Sequence, residues 1–297
     1  VAQLGILTTE FERPTLESSL DAAVQHRIDT LQFHLGTAIP EVPKETALTV
    51  GLPALIGHIN AELCDQIATE LSTRGLTMAA VDGTFNMVHP DRAQRAAGLG
   101  YLRTVIESCA SLGTSMVTLC TGSRDPVNMW RRHPENSSAA AWNDLVKSMT
   151  EAARCAEEVH VMLAFEPEVN NVVDSAERAR RLIEEVGSSH VQVAIDAANI
   201  FHEGELPRMS EMLEEAFVSL QGHIGIAHAK DLDHDGDAGH LPAGRGLLDY
   251  GLYLALLRKS GFDGAVILHQ MHSLPESEID SCFDFVRGKA TASFWVQ

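Results

Sequence analysis

Four short apolar runs in the second half of this chain end in side chains that can bind a metal or move a proton: Glu166 in "LAFEPE", Asp196 in "AIDAANIF", His228 in "IAHAKD" and His269 in "VILHQ". The intervals between them are 30, 32 and 41 residues, each about one strand-helix unit. Two carboxylates and two imidazoles at equivalent depths on successive strands can converge on one point. Such a donor set suits Mn²⁺, Zn²⁺, Co²⁺ or Fe²⁺ better than Ca²⁺, which prefers all-oxygen cages. A single His or Asp at a strand end is more often a hydrogen-bonded polar group than a ligand. Four such residues on successive strands are what point to a shared site.

The elements that must position these residues are read from hydropathy. Short apolar, β-branched runs alternate with amphipathic stretches along the whole chain, with strands expected at 4–8, 30–34, 77–83, 115–122, 160–167, 191–196, 223–231 and 265–270. Segment 174–187 shows the helical counterpart, with Asp174 as the expected N-cap, Glu177 three residues on and Gly187 as the C-terminal stop. Strands that are apolar throughout are covered on both faces, which argues for parallel pairing with helical crossovers. Eight such units in 297 residues predict a (β/α)₈ TIM barrel, α/β in class, running as a single domain over 1–297. A doubly wound open sheet is the rival architecture, but neither G-x-G-x-x-G after the first strand nor G-x-x-x-x-G-K-[ST] occurs to give it nucleotide chemistry.

In a barrel the active site gathers at the C-terminal strand ends, and the polar residues closing the other runs extend the set. Strand two closes on His34, the loop after strand three carries Asn86 and His89, and the loop after strand four carries Trp130 and His133. Glu168 follows Glu166, Asn199 follows Asp196, and Lys230 and Asp231 follow His228. His34, His89, Trp130, Glu168 and Asn199 are expected to contact substrate. His133, which precedes a proline and so sits in extended or turn backbone, is a candidate acid/base. Lys230, two residues from His228, faces the same side of its strand, where it either touches substrate or pairs with Asp196 or Glu166. The "DLDHDGDAGH" stretch resembles a calcium loop for six residues, but its twelfth position is Pro242 rather than Glu, so an EF-hand is rejected. Asp249 is the expected cap of the helix that follows.

Together these marks, with "GRGLLDY" (Gly244, Gly246, Asp249), resemble the xylose-isomerase-like superfamily of sugar and sugar-phosphate isomerases and epimerases, which also contains endonuclease IV. The likeness covers nearly the whole chain. It implies a metal-dependent enzyme in which Glu166, Asp196 and His228 are ligands, with one divalent ion, Mn²⁺ foremost and Zn²⁺, Co²⁺ or Mg²⁺ as substitutes. The family's usual fourth ligand is a glutamate on the last strand, where this chain has His269 with Gln270 beside it. Two-base epimerisation therefore loses one of its carboxylates. An isomerisation with Glu166 as base, or a lyase-type elimination from an oxidised glycoside or cyclitol, needs only one. A non-catalytic binding barrel is the third alternative.

Charge sets the partners. With 22 basic against 41 acidic residues, a formal charge of −19, the chain repels polyanions, so nucleic acid is not an expected partner, nor is endonuclease chemistry. Five scattered cysteines without a C-x-x-C pair read as reduced thiols. No secretory leader pattern or span-length apolar run is present. The expectation is a cytoplasmic protein, off the membrane and homo-oligomeric, acting on a small carbohydrate or polyol-derived ketone.

Overall fold

A computed structural model describes residues 1–39, 55–272 and 274–295. Eight parallel strands, β1 (Gln3–Leu7), β2 (Thr30–Phe33), β3 (Thr77–Asp82), β4 (Met116–Cys120), β5 (Met162–Glu166), β6 (Val191–Asp196), β7 (Ile224–Asp231) and β8 (Ala265–Leu268), pair in sequence order. Pairing of β1 with β8 and of β6 with β7 and β7 with β8 closes the sheet, so it has no open edge. The outer layer holds α1 (Leu16–Gln25), α2 (Ala61–Thr73), α3 (Arg92–Leu112), α4 (Ala139–Glu158), α5 (Ala176–Val186), α6 (Met209–Ser219), α7 (Tyr250–Lys259) and α8 (Ile279–Lys289). This is the (β/α)₈ barrel that the alternating pattern predicts, and the open sheet is excluded.

The strands are apolar on both faces because they separate two cores. Inside the barrel the filling is small: Ala80, Ala164, Ala194 and Ala265 pack with Ile226 and Ile267. Between barrel and helices lies the larger core of Leu, Ile, Val and Phe side chains. Register then sets the level of the strand ends. Asp196 on β6 is the partner of His228 on β7, and Cys120 on β4 that of Glu166 on β5, so residues far apart in the chain meet at one height.

Most strand limits fall one or two residues from those expected, and two differences have an identifiable cause. Helix α5 begins one residue later than Asp174 suggests, because the Ser175 side chain accepts the Arg178 N–H while Asp174 instead pairs with the Arg178 guanidinium at 3.5 Å. The last strand stops at Leu268, ahead of the expected 270, because Gln270 adopts a left-handed φ of 63° that no strand can continue. Asp249 does cap α7, accepting from Leu252 N at 3.0 Å. All five cysteines are free and buried. No helix among the described residues is long and apolar enough to cross a membrane.

Helix α7 braces the C-terminal ends of β6 and β7 from outside. Tyr253 Oη lies 2.9 Å from His228 O and 3.1 Å from Ile195 O, and Tyr250 Oη donates to Lys230 O at 2.9 Å. Both rings are almost fully buried, so these hydrogen bonds tie the backbone beneath Asp196, His228 and Lys230 to a rigid helix. On α3, Gly98 admits the ring of Phe85, whose Cδ2 would lie 2.0 Å from a Cβ added there. Replacing Gly98 by Ala gains about 1 kcal/mol of helix propensity but forces a buried ring to move, at about 1–3 kcal/mol. We expect Gly98→Ala to lower the urea midpoint; an unchanged or raised midpoint would show that the Phe85 loop yields freely.

Candidate active site

The C-terminal strand ends open into a cavity of about 690 Å³ lined by, among others, Gln32, His34, Trp130, Glu166, Glu168, His228, Lys230 and His269. At its floor, Asp196, His228 and His269 each offer a ligand atom, all within 4.8 Å of one another. Asp196, with no exposed surface, uses both oxygens: Oδ1 accepts from Ala198 N at 2.9 Å, while Oδ2 lies 3.1 Å from His269 Nε2 and 3.4 Å from Lys230 Nζ. The rings of His228 and His269 meet edge to face at 4.8 Å. Glu166 stands beside this trio rather than within it. Its Oε2 is 3.5 Å from His228 Nδ1, and its Oε1 accepts from Asn199 Nδ2 at 2.5 Å.

His228 carries the clearest sign of an unmet need. Its Nε2 is hydrogen-bonded to Gln32 Oε1 at 2.9 Å, and because that oxygen can only accept, Nε2 bears the proton. Nδ1 is then left as a lone pair, fully buried, with no hydrogen-bond partner. Buried polar atoms are rarely left so. An imidazole whose outer nitrogen donates to a carbonyl oxygen while the inner one is bare is the arrangement found for metal-binding histidines. The residues present therefore fit a divalent cation.

Charge pairing dominates the electrostatics of the floor. Burial disfavours ionisation of Glu166 and Asp196, yet His228 and Lys230 around Glu166, and Lys230 and His269 around Asp196, outweigh it and hold both carboxyls below the usual range. Burial likewise works against charge on His228 and Lys230, and the surrounding carboxylates, Glu166 for the one and Asp196 for the other, raise both above their ordinary values. His269 goes the other way, lowered by burial and by the Lys230 charge, which suits a neutral donor. Glu168 has less help: burial pushes its carboxyl up to about 8, against the pull of Lys230. With His228 as the neutral imidazole that its bare Nδ1 implies, the floor holds two ionised carboxylates against one ammonium, a deficit that a cation would neutralise.

The other expected residues separate into two groups. His34 and Trp130 line the cavity, and Lys230 does so while paired with Asp196. Asn199 is fully buried behind Glu166, joining it to the loop after β7 through Gly239 N at 3.1 Å, so it orients the carboxylate rather than lining the cavity. His89 and His133 lie off the cavity wall. His89 spends its ring on Pro126 O and Asp91 N, and His133 caps the short helical turn Pro134–Ser137 through Glu135 N. In each case the imidazole two residues before an N–H closes a local turn, a competition that the residue type alone does not reveal.

The matches to known proteins fit this geometry. Residues 47–281 match the family described as xylose isomerase-like TIM barrel. The chain belongs to that family. Among solved structures, it is similar to 3-keto-D-glucoside 4-epimerase from E. coli (15% identity, 97% of this chain and 100% of that chain, TM-score 0.72). D-psicose 3-epimerase from Clostridium cellulolyticum H10 superposes with 14% identity, 96% and 98% coverage and a TM-score of 0.70. The IolI protein with a bound zinc atom does so with 19% identity, 97% and 99% coverage and a TM-score of 0.71. At such identities, the structural likeness establishes the fold of this xylose isomerase-like barrel.

Two residues of the site escape a reading confined to strand ends. Gln32 is the one amide side chain within β2, two residues before His34 and hence on the same face; a lone buried amide was the available signal. Glu10, just after β1, is buried and accepts three successive backbone N–H groups, Gln270 (3.0 Å), Met271 (2.6 Å) and His272 (3.1 Å). It thereby stabilises the left-handed Gln270 and the chain direction that follows His269. Nothing in the sequence near Glu10 announces this partner 260 residues away. Glu10→Ala leaves these donors without their acceptor and should cost about 1–3 kcal/mol, with Glu10→Gln intermediate. Chemical denaturation tests the order; equal stability of all three proteins would mean that water replaces the carboxylate at no loss.

Proposed function

We propose that this protein is a divalent-metal-dependent isomerase or epimerase acting on a sugar or sugar-like hydroxyketone, with proton abstraction alpha to a carbonyl as the central step. The observation that carries this reading is the bare, buried His228 Nδ1 set among Glu166, Asp196 and His269 at the floor of the cavity. Relatives in fold include a 3-keto-D-glucoside 4-epimerase and a D-psicose 3-epimerase, whose named substrates are of this class.

Asp196, His228 and His269, with Glu166 beside His228, would hold the ion, Mn²⁺ foremost. When bound, it supplies Lewis-acid polarisation of substrate oxygens, worth several kcal/mol as developing negative charge is stabilised. Glu166 takes the alpha proton on Oε2, since Oε1 is engaged by Asn199. Asn199 fixes the plane of that carboxylate. Lys230 holds Asp196 ionised and presents its ammonium at the cavity wall, within reach of a substrate oxygen. Glu168 and His34, both buried and both lining the cavity, bind hydroxyls, and Trp130 covers an apolar face of the sugar. The cavity's volume of about 690 Å³ accommodates a monosaccharide or a small glycoside.

A metal-dependent elimination is the second reading, favoured by one feature. His269 rather than a carboxylate closes β8, and it is already engaged by Asp196 Oδ2. A reaction with one carboxylate base and a departing group satisfies that arrangement.

Elemental mass spectrometry on protein purified without added metal should find divalent metal in the parent and about one equivalent less of it in His269→Ala. In D₂O, turnover of hydroxyketones should place deuterium alpha to the carbonyl, whereas release of water or an aglycone would select the elimination. Glu166→Gln should lower turnover by about 10²- to 10⁴-fold. Absence of metal from the parent, with a melting temperature unmoved by Mn²⁺ or Zn²⁺, would instead favour a non-catalytic binding barrel.

A further inference from the structure

The loop that leaves β7 runs 231–240 and then returns, with Leu241 and Pro242 pairing antiparallel to Asp231 and Lys230. Its inner side forms part of the cavity wall through Asp237, Ala238 and Gly239. Its outer side carries a second cluster of donors, Asp233, His234 and His240, all exposed, each with a ligand atom within 4.8 Å of the other two. His234 Nδ1 lies 2.5 Å and His240 Nε2 3.7 Å from the same Asp233 Oδ1, and the two rings are 5.2 Å apart.

We propose that Asp233, His234 and His240 form a second, solvent-facing site for a late first-row divalent ion, of which Zn²⁺ is the type, and that the ion clips together the two arms of the loop that walls the active-site cavity. Two imidazoles and one carboxylate select such ions over Ca²⁺ and Mg²⁺. Ligands about 2.0–2.1 Å from a tetrahedral zinc are about 3.4 Å apart, so side chains already within 4.8 Å, on the solvent side, need only small rotations to close on it. Water completes the coordination.

The anchoring of the loop shows what the ion adds. Gly236 N donates to Phe201 O (2.9 Å), Gly239 N to Ala198 O (3.0 Å), Leu206 N to Asp235 Oδ2 (2.8 Å) and Asn170 Nδ2 to Asp237 Oδ1 (2.5 Å). All of these attach the middle of the loop to the segments that follow β5 and β6. Asp233 and His234 lie on one side of that anchored stretch and His240 on the other, and a shared ion would cross-link the two arms. Bridging them fixes Asp237–Gly239 in place, and with them the Gly239 contact that positions Asn199 behind Glu166. This site stands apart from the chemistry proposed for the cavity floor.

The test is zinc stoichiometry after equilibrium dialysis, comparing the parent with His234→Ala/His240→Ala and with His240→Gln as a milder second variant, alongside hydrogen exchange of segment 232–240. Because these side chains are exposed, the variants should keep the parent melting temperature without metal. The expected result is about one equivalent of Zn²⁺ fewer in each variant, whatever the floor retains, and exchange in the loop that Zn²⁺ slows by about tenfold or more in the parent only. Equal zinc content in parent and variants would overturn the site. A lost equivalent with no change in loop exchange would overturn the clip.

Discussion

A carboxylate with no exposed surface is among the costliest groups a protein can carry, and Asp196 is one. It remains ionised because Lys230 and His269 lie against Oδ2 and the Ala198 N–H against Oδ1. Removing any one of these leaves charge in a low-dielectric interior, where breaking a buried pair is far more damaging than the pair itself is stabilising. The register that sets Asp196 level with His228, and the α7 tyrosines that hold the backbone beneath them, are the means by which the barrel keeps this arrangement.

Acidic side chains also shape the rim. Asp231 accepts from Leu232, Gly244, Gly246 and Leu248 N–H groups at 2.9–3.0 Å, folding the whole "GRGLLD" segment around one carboxylate. Gly246 is required there, since a Cβ would come within 2.3 Å of Leu232 O and 2.5 Å of Asp231 Oδ1. Glu10 does the same for the turn after β8. Much of the chain's negative charge is therefore spread over a solvated surface, but these two carboxylates are internal scaffolding, each replacing water around backbone donors that would otherwise be bare.

The last strand closes on His269, whose Nε2 lies 3.1 Å from Asp196 Oδ2. Beside it Glu166 pairs with His228 at 3.5 Å and accepts from the Asn199 amide. The Glu166–Asn199–Gly239 chain of hydrogen bonds links that carboxylate to the loop after β7. Two hydrogen bonds thus separate this loop from the Glu166 carboxylate.

Hydropathy alone determined the barrel. Apolar runs covered on both sides and separated by amphipathic helices have few other ways to bury their surface, and strand ends are where polar side chains must then appear. That logic placed Glu166, Asp196, His228 and His269 together and put Lys230 on the same wall as His228. Tertiary structure decided what local sequence does not encode: that Glu166 stands beside the trio, that Asn199 lies behind it, and that Gln32 supplies the acceptor fixing the His228 tautomer. It also showed that His89 and His133 are consumed by their own turns and that Glu10 governs a loop at the other end of the chain. Spacing along a strand fixes the face and level of a side chain. Which partner satisfies its hydrogen bonds depends on atoms brought in from distant segments, and at a buried polar site those partners set the chemistry.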